Sequence, residues 1–403
     1  MNKIPFSQPL IDEDVVAEVL DSLVNTGWLT SGPKVMALEA EVRAYTGAQA
    51  VVCVNSWTSG AMLALKWFGV GPGDEVIIPA YTYAATALCA LNIGASVVMV
   101  DVLDDFTLDP AQLERAITPR TKAIIPVDLG GWPADYERIR DILEDESVRS
   151  RFIPATVAQE KLARPLILAD AAHSIGALYK GRKSGTCADL TVLSFHSVKN
   201  ITTGEGGAVC LQLPPLFEPE VEYRFMKLYS LNGQSRTTYE KNIPGDWRYD
   251  IVEQGLKVNM PDLSAAVGLA QIRKYDQQLL PERFELFRLY QELLGTNDRM
   301  LLPLLQSESG TSSSAHLFLL RIDGMTEPER DRIIADMAQE GIGLNVHYIP
   351  LPMMTLFRNL GFRMEDYPNT LRLYRNEITL PLYNGLTPDS VRMVCDKMHQ
   401  YTG

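Results

Sequence analysis

The sequence predicts an α/β fold, in which a large domain on a mostly parallel seven-stranded sheet precedes a smaller α+β domain. Two observations carry this. Seven short apolar, β-branched runs recur between residues 50 and 211 without polar alternation, as strands buried on both faces require. Helical segments such as 59–68 and 110–117 separate several of them, and that alternation belongs to a parallel sheet covered by helices on both sides. From about residue 213 long amphipathic helices dominate, so the division is drawn between a large domain with its N-terminal segment, 1–254, and a small C-terminal domain, 255–403.

Taken in order, a short extended start leads to residues 12–25. There Val15, Val16, Val19, Leu20, Leu23 and Val24 recur at helical spacing, and Gly27 stops the helix. Pro33 opens a second helix with Val35, Leu38, Val42 and Tyr45 on one face and Gly47 at its end. The strand runs are 50–54, 76–78, 97–100, 123–127, 166–169, 190–195 and 208–211. Residues 144–165 are polar and weakly periodic, which reads as an inserted surface loop, partly helical. In the small domain helices are expected at 261–276 and 279–295, and strands at 316–322 and 342–347.

Bulk properties narrow the function. The net charge of −13 argues against nucleic acid or an anionic membrane surface as partner, because both select clustered Lys and Arg. No stretch approaches the ~18 uninterrupted apolar residues of a spanning helix. The start, MNKIPFSQPLIDEDVV, lacks the apolar core of a signal peptide. The five cysteines are scattered without C-x-x-C spacing, so neither zinc nor a disulfide framework is indicated, and a cytoplasmic protein with reduced thiols is expected.

Four segments carry chemistry. In SFHSVKNITTGEGG (194–207) a buried strand ends at Ser194 and Phe195, Lys199 follows, and a Gly-rich turn leads into the next strand. Ligands of open α/β sheets bind at the carboxyl ends of strands. A lysine desolvated there can attack a carbonyl to form a Schiff base, although a lysine snorkelling to solvent near a hairpin fits the local pattern equally. LILADAAHSIGA (166–177) delivers Asp170 at a strand end, with His173 beyond it. Pyridoxal phosphate needs such an anion beside its pyridine nitrogen, while a plain helix cap is the other reading. VNSWTSGAML (54–63) opens a helix whose first N–H groups suit a phosphate, or are merely capped by Ser and Thr. PAYTYAAT (79–86) places Tyr81 and Tyr83 at the same sheet edge, to stack on a flat cofactor or to fill the core. His196 is expected to be packed beside its strand end, and His316 to be structural.

The chain order of these segments resembles the DegT/DnrJ/EryC1/StrS family of sugar aminotransferases, on the aspartate-aminotransferase fold (fold type I of the pyridoxal-phosphate enzymes). The likeness runs through GWLTSGP (27–33), GPGDEVIIPAYTYAAT (71–86), TPRTKAIIPVDLGG (118–131), DAAHS (170–174), the Lys199 segment, GLKVNMPDLSAAVGLAQI (255–272) and VHYIP (346–350). It implies that Lys199 holds pyridoxal 5'-phosphate and acts as general acid and base. It implies that Asp170 pairs with the pyridine nitrogen, that His173 lies by the ring and that Tyr83 stacks on it. Trp57, Thr58 and Ser194 then bind the phosphate, and Asn259 reaches the phosphate of a neighbouring subunit in a homodimer with shared sites. Trp28, Leu29, Thr30, His347 and Tyr348 fall where family members contact the sugar.

The implied reaction moves an amino group from glutamate to a keto group of a nucleotide-linked sugar. The SFHSVKNIT form of the lysine segment resembles members that aminate carbon 4 of UDP-linked 4-keto sugars in lipid A or pseudaminic-type pathways, so UDP is expected over dTDP. Two departures stand out: Trp57 where many members have Gly, and YSLNGQSR (229–236) where many have Arg or His before the glycine. Arg236, Lys241 and Arg248, in the irregular stretch 232–250, are expected to form a substrate loop. The rivals are a sugar dehydratase or desulfurase of the same fold, and a non-catalytic cofactor-binding regulator. Lys199 argues against a dehydratase, which carries histidine there, and a desulfurase needs a mobile-loop cysteine late in the chain, where Cys395 sits in a terminal helix instead.

Overall fold

Valine, isoleucine and leucine fill both faces of the central strands because helices cover both. The computed structural model describes residues 3–236 and 247–402. Its strands are β1 (Ala50–Val54), β2 (Glu75–Pro79), β3 (Ser96–Val100), β4 (Thr121–Ile124), β5 (Leu166–Ala171), the short hairpin β6 (Leu178–Tyr179) and β7 (Arg182–Lys183), β8 (Leu190–Ser194) and β9 (Gly207–Leu211). The large sheet has the order β1-β9-β8-β5-β4-β2-β3. Only β9 runs against its neighbours, so the carboxyl ends of the other six strands meet at one edge. At that edge Gly207 of β9 stands between Val54 and Ser194.

The expected strand runs match this sheet to within a few residues. The segment 144–165 forms two short helices, Glu146–Arg149 and Val157–Leu162, and the second is pinned to Phe68, whose carbonyl accepts from Thr156 Oγ1 at 3.1 Å and Gln159 Nε2 at 3.0 Å. The first helix ends at Leu20 and continues as a wider turn to Thr26. It buries Val15 but leaves Val16, Leu20, Leu23 and Val24 about half exposed or more. The helix Pro33–Thr46 buries Val35, Leu38 and Val42 as its spacing predicts.

The small domain carries a three-stranded antiparallel sheet, β10 (Met300–Leu301), β11 (Phe318–Ile322) and β12 (Glu377–Leu380). Two expectations are corrected here. Residues 342–347 form no strand; Ile342 and Asn345 make only single bridges to Ile4 and Thr379. A Cβ on Gly343 would lie 2.6 Å from the Phe6 nitrogen, so this segment is turned against the N-terminal chain. His316 precedes β11 rather than opening it, because Ala315 has φ of +51° and the buried Arg283 takes the carbonyls of Ala315 and His316. The boundary drawn at 254/255 follows composition. In the packing, Met260, Ala265, Leu269 and Tyr275 share a core with Val35 and Phe195 of the large domain, and the small-domain core begins near Leu286. Among the described residues no helix is long and apolar enough to cross a membrane.

Gly207 is the tightest point of the sheet edge. A Cβ there would fall 2.6 Å from the Leu193 oxygen and 3.0 Å from the Trp57 nitrogen. Gly207→Ala should therefore destabilise the protein by about 1–3 kcal/mol through overpacking, seen as a lower urea midpoint at unchanged slope.

Candidate active site

The carboxyl edge of the sheet opens into a cavity of about 520 Å³ closed on its far side by the small domain. Its floor comes from the strand ends. The chain leaving β1 reaches Ser56, whose hydroxyl accepts from Ser59 N at 3.1 Å and caps the helix Trp57–Phe68. A helix start leaves its first N–H groups without intrahelical partners, and here Trp57 and Thr58 line the cavity with Ser194 opposite. The Trp57 side chain turns into the core, 6% exposed, so the large residue at this position does not obstruct the backbone. The absence of a Cβ at Gly207 is what lets the helix start dock on the sheet edge.

Asp170 is the penultimate residue of β5, buried. Its carboxylate accepts from Thr86 Oγ1 at 2.8 Å and from Ala172 N at 3.2 Å, and Thr86 in turn meets Thr82 at 2.9 Å. Burial raises the acid to about 7 against the pull of Thr86, the Ala172 amide and the Lys199 charge. Lys199 follows β8, and its backbone N–H bonds the His196 carbonyl at 2.9 Å. Desolvation lowers its ammonium to about 8 while Asp170 pulls it back up. Two groups of opposite charge thus share one cavity, and each is held near neutrality by the loss of water.

Asp128 braces this arrangement. Its carboxylate accepts from Tyr136 Oη at 2.7 Å, Ser174 Oγ at 2.6 Å and Ala134 N at 2.9 Å, and its own amide bonds the Asp170 carbonyl at 3.0 Å. His173 accepts the Gly130 N–H at Nδ1 at 3.1 Å, which leaves Nε2 as the protonated nitrogen facing Tyr348 Oη at 3.1 Å. Burial, with Lys199 and His347 nearby, keeps His173 neutral.

Of the residues picked out in the sequence, Trp57, Thr58, Tyr83, Asp170, His173, Ser194, Lys199, His347 and Tyr348 line this cavity. Tyr83 is largely exposed, its ring 5.6 Å from that of Tyr348. Trp28, Leu29, Thr30, Arg236 and Asn259 do not line it. Asn259 instead donates to Ser31 Oγ at 2.7 Å and accepts from Lys257 at 2.6 Å, beside the GWLTSGP segment. Arg248 lies with its guanidinium 5.4 Å over the Trp247 ring, and Lys241 is outside the described residues.

Sequence reading missed part of the site. His316, expected as structural, lines the cavity with its ring 4.4 Å from that of His173, held by Asn200 Oδ1 at 2.8 Å. His196 is not packed but partly exposed at the rim, 3.6 Å from Glu205. Thr86 was within reach of sequence reasoning, since Thr82 and Thr86 stand one helical turn apart in PAYTYAAT. His316 gave no such signal. Among the described residues no cluster of His, Cys, Asp or Glu is built to hold a metal ion, and all five cysteines are buried and free.

Comparison with known proteins places the chain among aminotransferases. The model of the DegT/DnrJ/EryC1/StrS aminotransferase family matches residues 9–151 and 153–399. Spr1654 from Streptococcus pneumoniae, provisionally assigned as a sugar aminotransferase, is 40% identical and superposes with a TM-score of 0.94 over 99% of both chains in its PMP-form; a PLP-form is also solved. The spore coat polysaccharide biosynthesis protein SpsC of Bacillus subtilis is 34% identical over 395 residues, 96% of this chain and 94% of its own. PseC of Helicobacter pylori, an aminotransferase involved in the biosynthesis of pseudoaminic acid, is 25% identical with a TM-score of 0.83 over 100% of this chain and 99% of its own.

The raised Asp170 has a checkable sign. A carboxyl held up to about 7 in the fold contributes stability below the ordinary carboxylate range and loses it as pH rises through about 7. Asp170→Asn removes that loss, so in cofactor-free protein its unfolding free energy should fall less between pH 4 and pH 8 than that of the unaltered chain. Parallel urea titrations at several pH values measure the difference.

Proposed function

Because the chain belongs to the DegT/DnrJ/EryC1/StrS aminotransferase family, we propose that it uses pyridoxal 5'-phosphate to move an amino group from glutamate to a keto group of a nucleotide-linked sugar. A UDP-linked 4-keto sugar of a cell-surface polysaccharide or lipid A-type route is the substrate we favour. The observation that carries this reading is the desolvated Lys199 facing Asp170 across one cavity at the sheet edge.

The residues fit that cofactor. The helix start at Trp57 and Thr58, with Ser194, offers N–H and hydroxyl donors for a phosphate, and Asp170 offers a buried carboxylate for the pyridine nitrogen. Bound pyridoxal phosphate supplies an aldehyde carbon for the amine and a ring that accepts the electron pair of a broken C–H bond. Lys199, with its ammonium brought down to about 8, has a lone pair available near neutral pH to take that proton and return it one atom pair away. Tyr348 and His173 fix the wall on which the ring would lie, and Tyr83 stands at its outer edge.

A homodimer with shared sites completes the reading. Val16, Leu20, Leu23, Val24, Leu29 and Met36 leave apolar surface exposed on the first two helices and the segment between them, and Trp247, Tyr249, Ile251 and Val252 add more. Asn259 and the GWLT segment lie outside this chain's own cavity, as residues serving a partner's cavity would. Arg236 and Arg248 then border the nucleotide at the subunit boundary.

Mixing the loaded enzyme with glutamate should convert its spectrum to that of the amine form, and a UDP-linked 4-keto sugar should reverse the change. Lys199→Ala should slow both halves by about 10⁴-fold. Reversal by 3-keto but not 4-keto sugars would move the carbon assignment, and no response to glutamate would remove the reaction. Sharing of sites is tested by mixing Lys199→Ala with Asn259→Ala subunits. One site of the mixed dimer then carries neither lesion, so activity should partly return; mixtures no more active than their parents would contradict it.

A further inference from the structure

Behind the cavity wall lies a buried acid that the reading above does not use. Glu377 and Thr379, on successive same-face positions of β12, are both fully buried. Glu377 Oε1 accepts from Thr379 Oγ1 at 2.5 Å and Oε2 accepts from the His347 backbone N–H at 3.0 Å. Among the described residues it forms no ion pair. His347 lines the cavity, and its Nδ1 sits 2.9 Å from Thr379 Oγ1. Its ring is stacked on Phe6 with centroids 5.3 Å apart, which fixes its plane. Glu377, Thr379 and His347 thus form an unbroken chain of three hydrogen-bonding groups from the interior to the cavity, ending at His347 Nε2.

The direction of each bond follows from the protonation of Glu377. When it is a carboxylate, Thr379 donates to it, Nδ1–H of His347 donates to Thr379, and Nε2 is a bare acceptor. When it is an acid it donates to Thr379, Thr379 donates to Nδ1, and Nε2 carries the proton. We propose that Glu377, Thr379 and His347 are a proton relay that delivers a proton to the reacting oxygen of the acceptor substrate and recovers one from the amine nitrogen that replaces it, a role that rests on the aminotransferase reading above. The proton count closes. When C=O becomes C=N, the amine nitrogen sheds two protons and the oxygen leaves with two as water. The relay gives one at oxygen and takes one back from nitrogen; Lys199, in the same cavity, carries the other from nitrogen to oxygen, and both end as they began.

The surroundings favour a relay over a cationic histidine. Burial first, then the Lys199 charge, lowers His347 to about 3, and His173 and His316 stand near it without charge. Burial raises Glu377 to about 8 against Thr379, the His347 amide and the charge of Arg330; Tyr81 and Tyr348 also face it, both neutral. A proton arriving at Nε2 is therefore passed inward rather than kept.

The test reads the tautomer of His347 directly. The chain has five histidines, so a ¹⁵N-histidine-labelled, cofactor-loaded enzyme gives few ring signals to assign. The Nε2–H form should give way to the Nδ1–H form as pH rises through about 8, and Thr379→Val should abolish that switch. Glu377→Gln, the second variant should Val misfold, should lock one tautomer at every pH. A single tautomer in the unaltered enzyme, or a switch unchanged by Thr379→Val, would overturn the relay whatever the substrate. In stopped-flow work Thr379→Val should slow the keto-sugar half-reaction about 10²-fold, far more than the glutamate half, and Thr379→Ser should restore most of it. An acceptor rate equal to the unaltered enzyme's would also overturn it. An unaltered enzyme that switches tautomer yet ignores every keto sugar would instead count against the substrate assignment.

Discussion

At the carboxyl edge of the large sheet a lysine and an aspartate face the same water-poor cavity, and neither can carry its charge at low cost. That constraint orders much of the molecule around it. A strand-end acid survives burial only with donors, so Thr86 and the Ala172 amide are turned toward Asp170. A buried lysine is tolerated when opposite charge lies close and when its neutral form has a use. Asp128, itself raised to about 6 by burial, spends its acceptors on Tyr136, Ser174 and Ala134 to hold the Asp170 strand end in place.

The sheet supplies the geometry. Six strands deliver their carboxyl ends to one edge, and the antiparallel β9 contributes Gly207 at a position where a side chain would push the helix start away. The small domain supplies the far wall, through the Asn345–Tyr348 segment and the His316 turn, and the N-terminal chain joins it at Phe6. Residues from both ends of the sequence therefore enclose a site whose centre lies near its middle.

How much of this was legible in the sequence follows from range. The seven buried strands read directly, since uninterrupted β-branched runs have few other homes. Lys199 and Asp170 read as strand-end polar residues that burial must explain. What local pattern could not give were contacts made across the fold. His316 meets His173 only because Arg283 and a positive φ at Ala315 bend the chain before β11. Glu377 meets His347 only because β12 passes behind the cavity wall. Residues 342–347 read as a strand by composition, yet Gly343 packs on Phe6 and turns them into a wall. Val16, Leu20 and Leu23 have the spacing of a buried face, and on this chain alone that face is open.

The central claim is that Lys199 is the amine to which the cofactor is joined. Borohydride reduction of the loaded enzyme, followed by proteolysis and mass spectrometry, locates that joint by mass alone, without reference to any substrate. The account predicts the cofactor's mass on the peptide that contains Lys199 and on no other. Its appearance on a different lysine, or a reduced protein with no modified peptide, would contradict it.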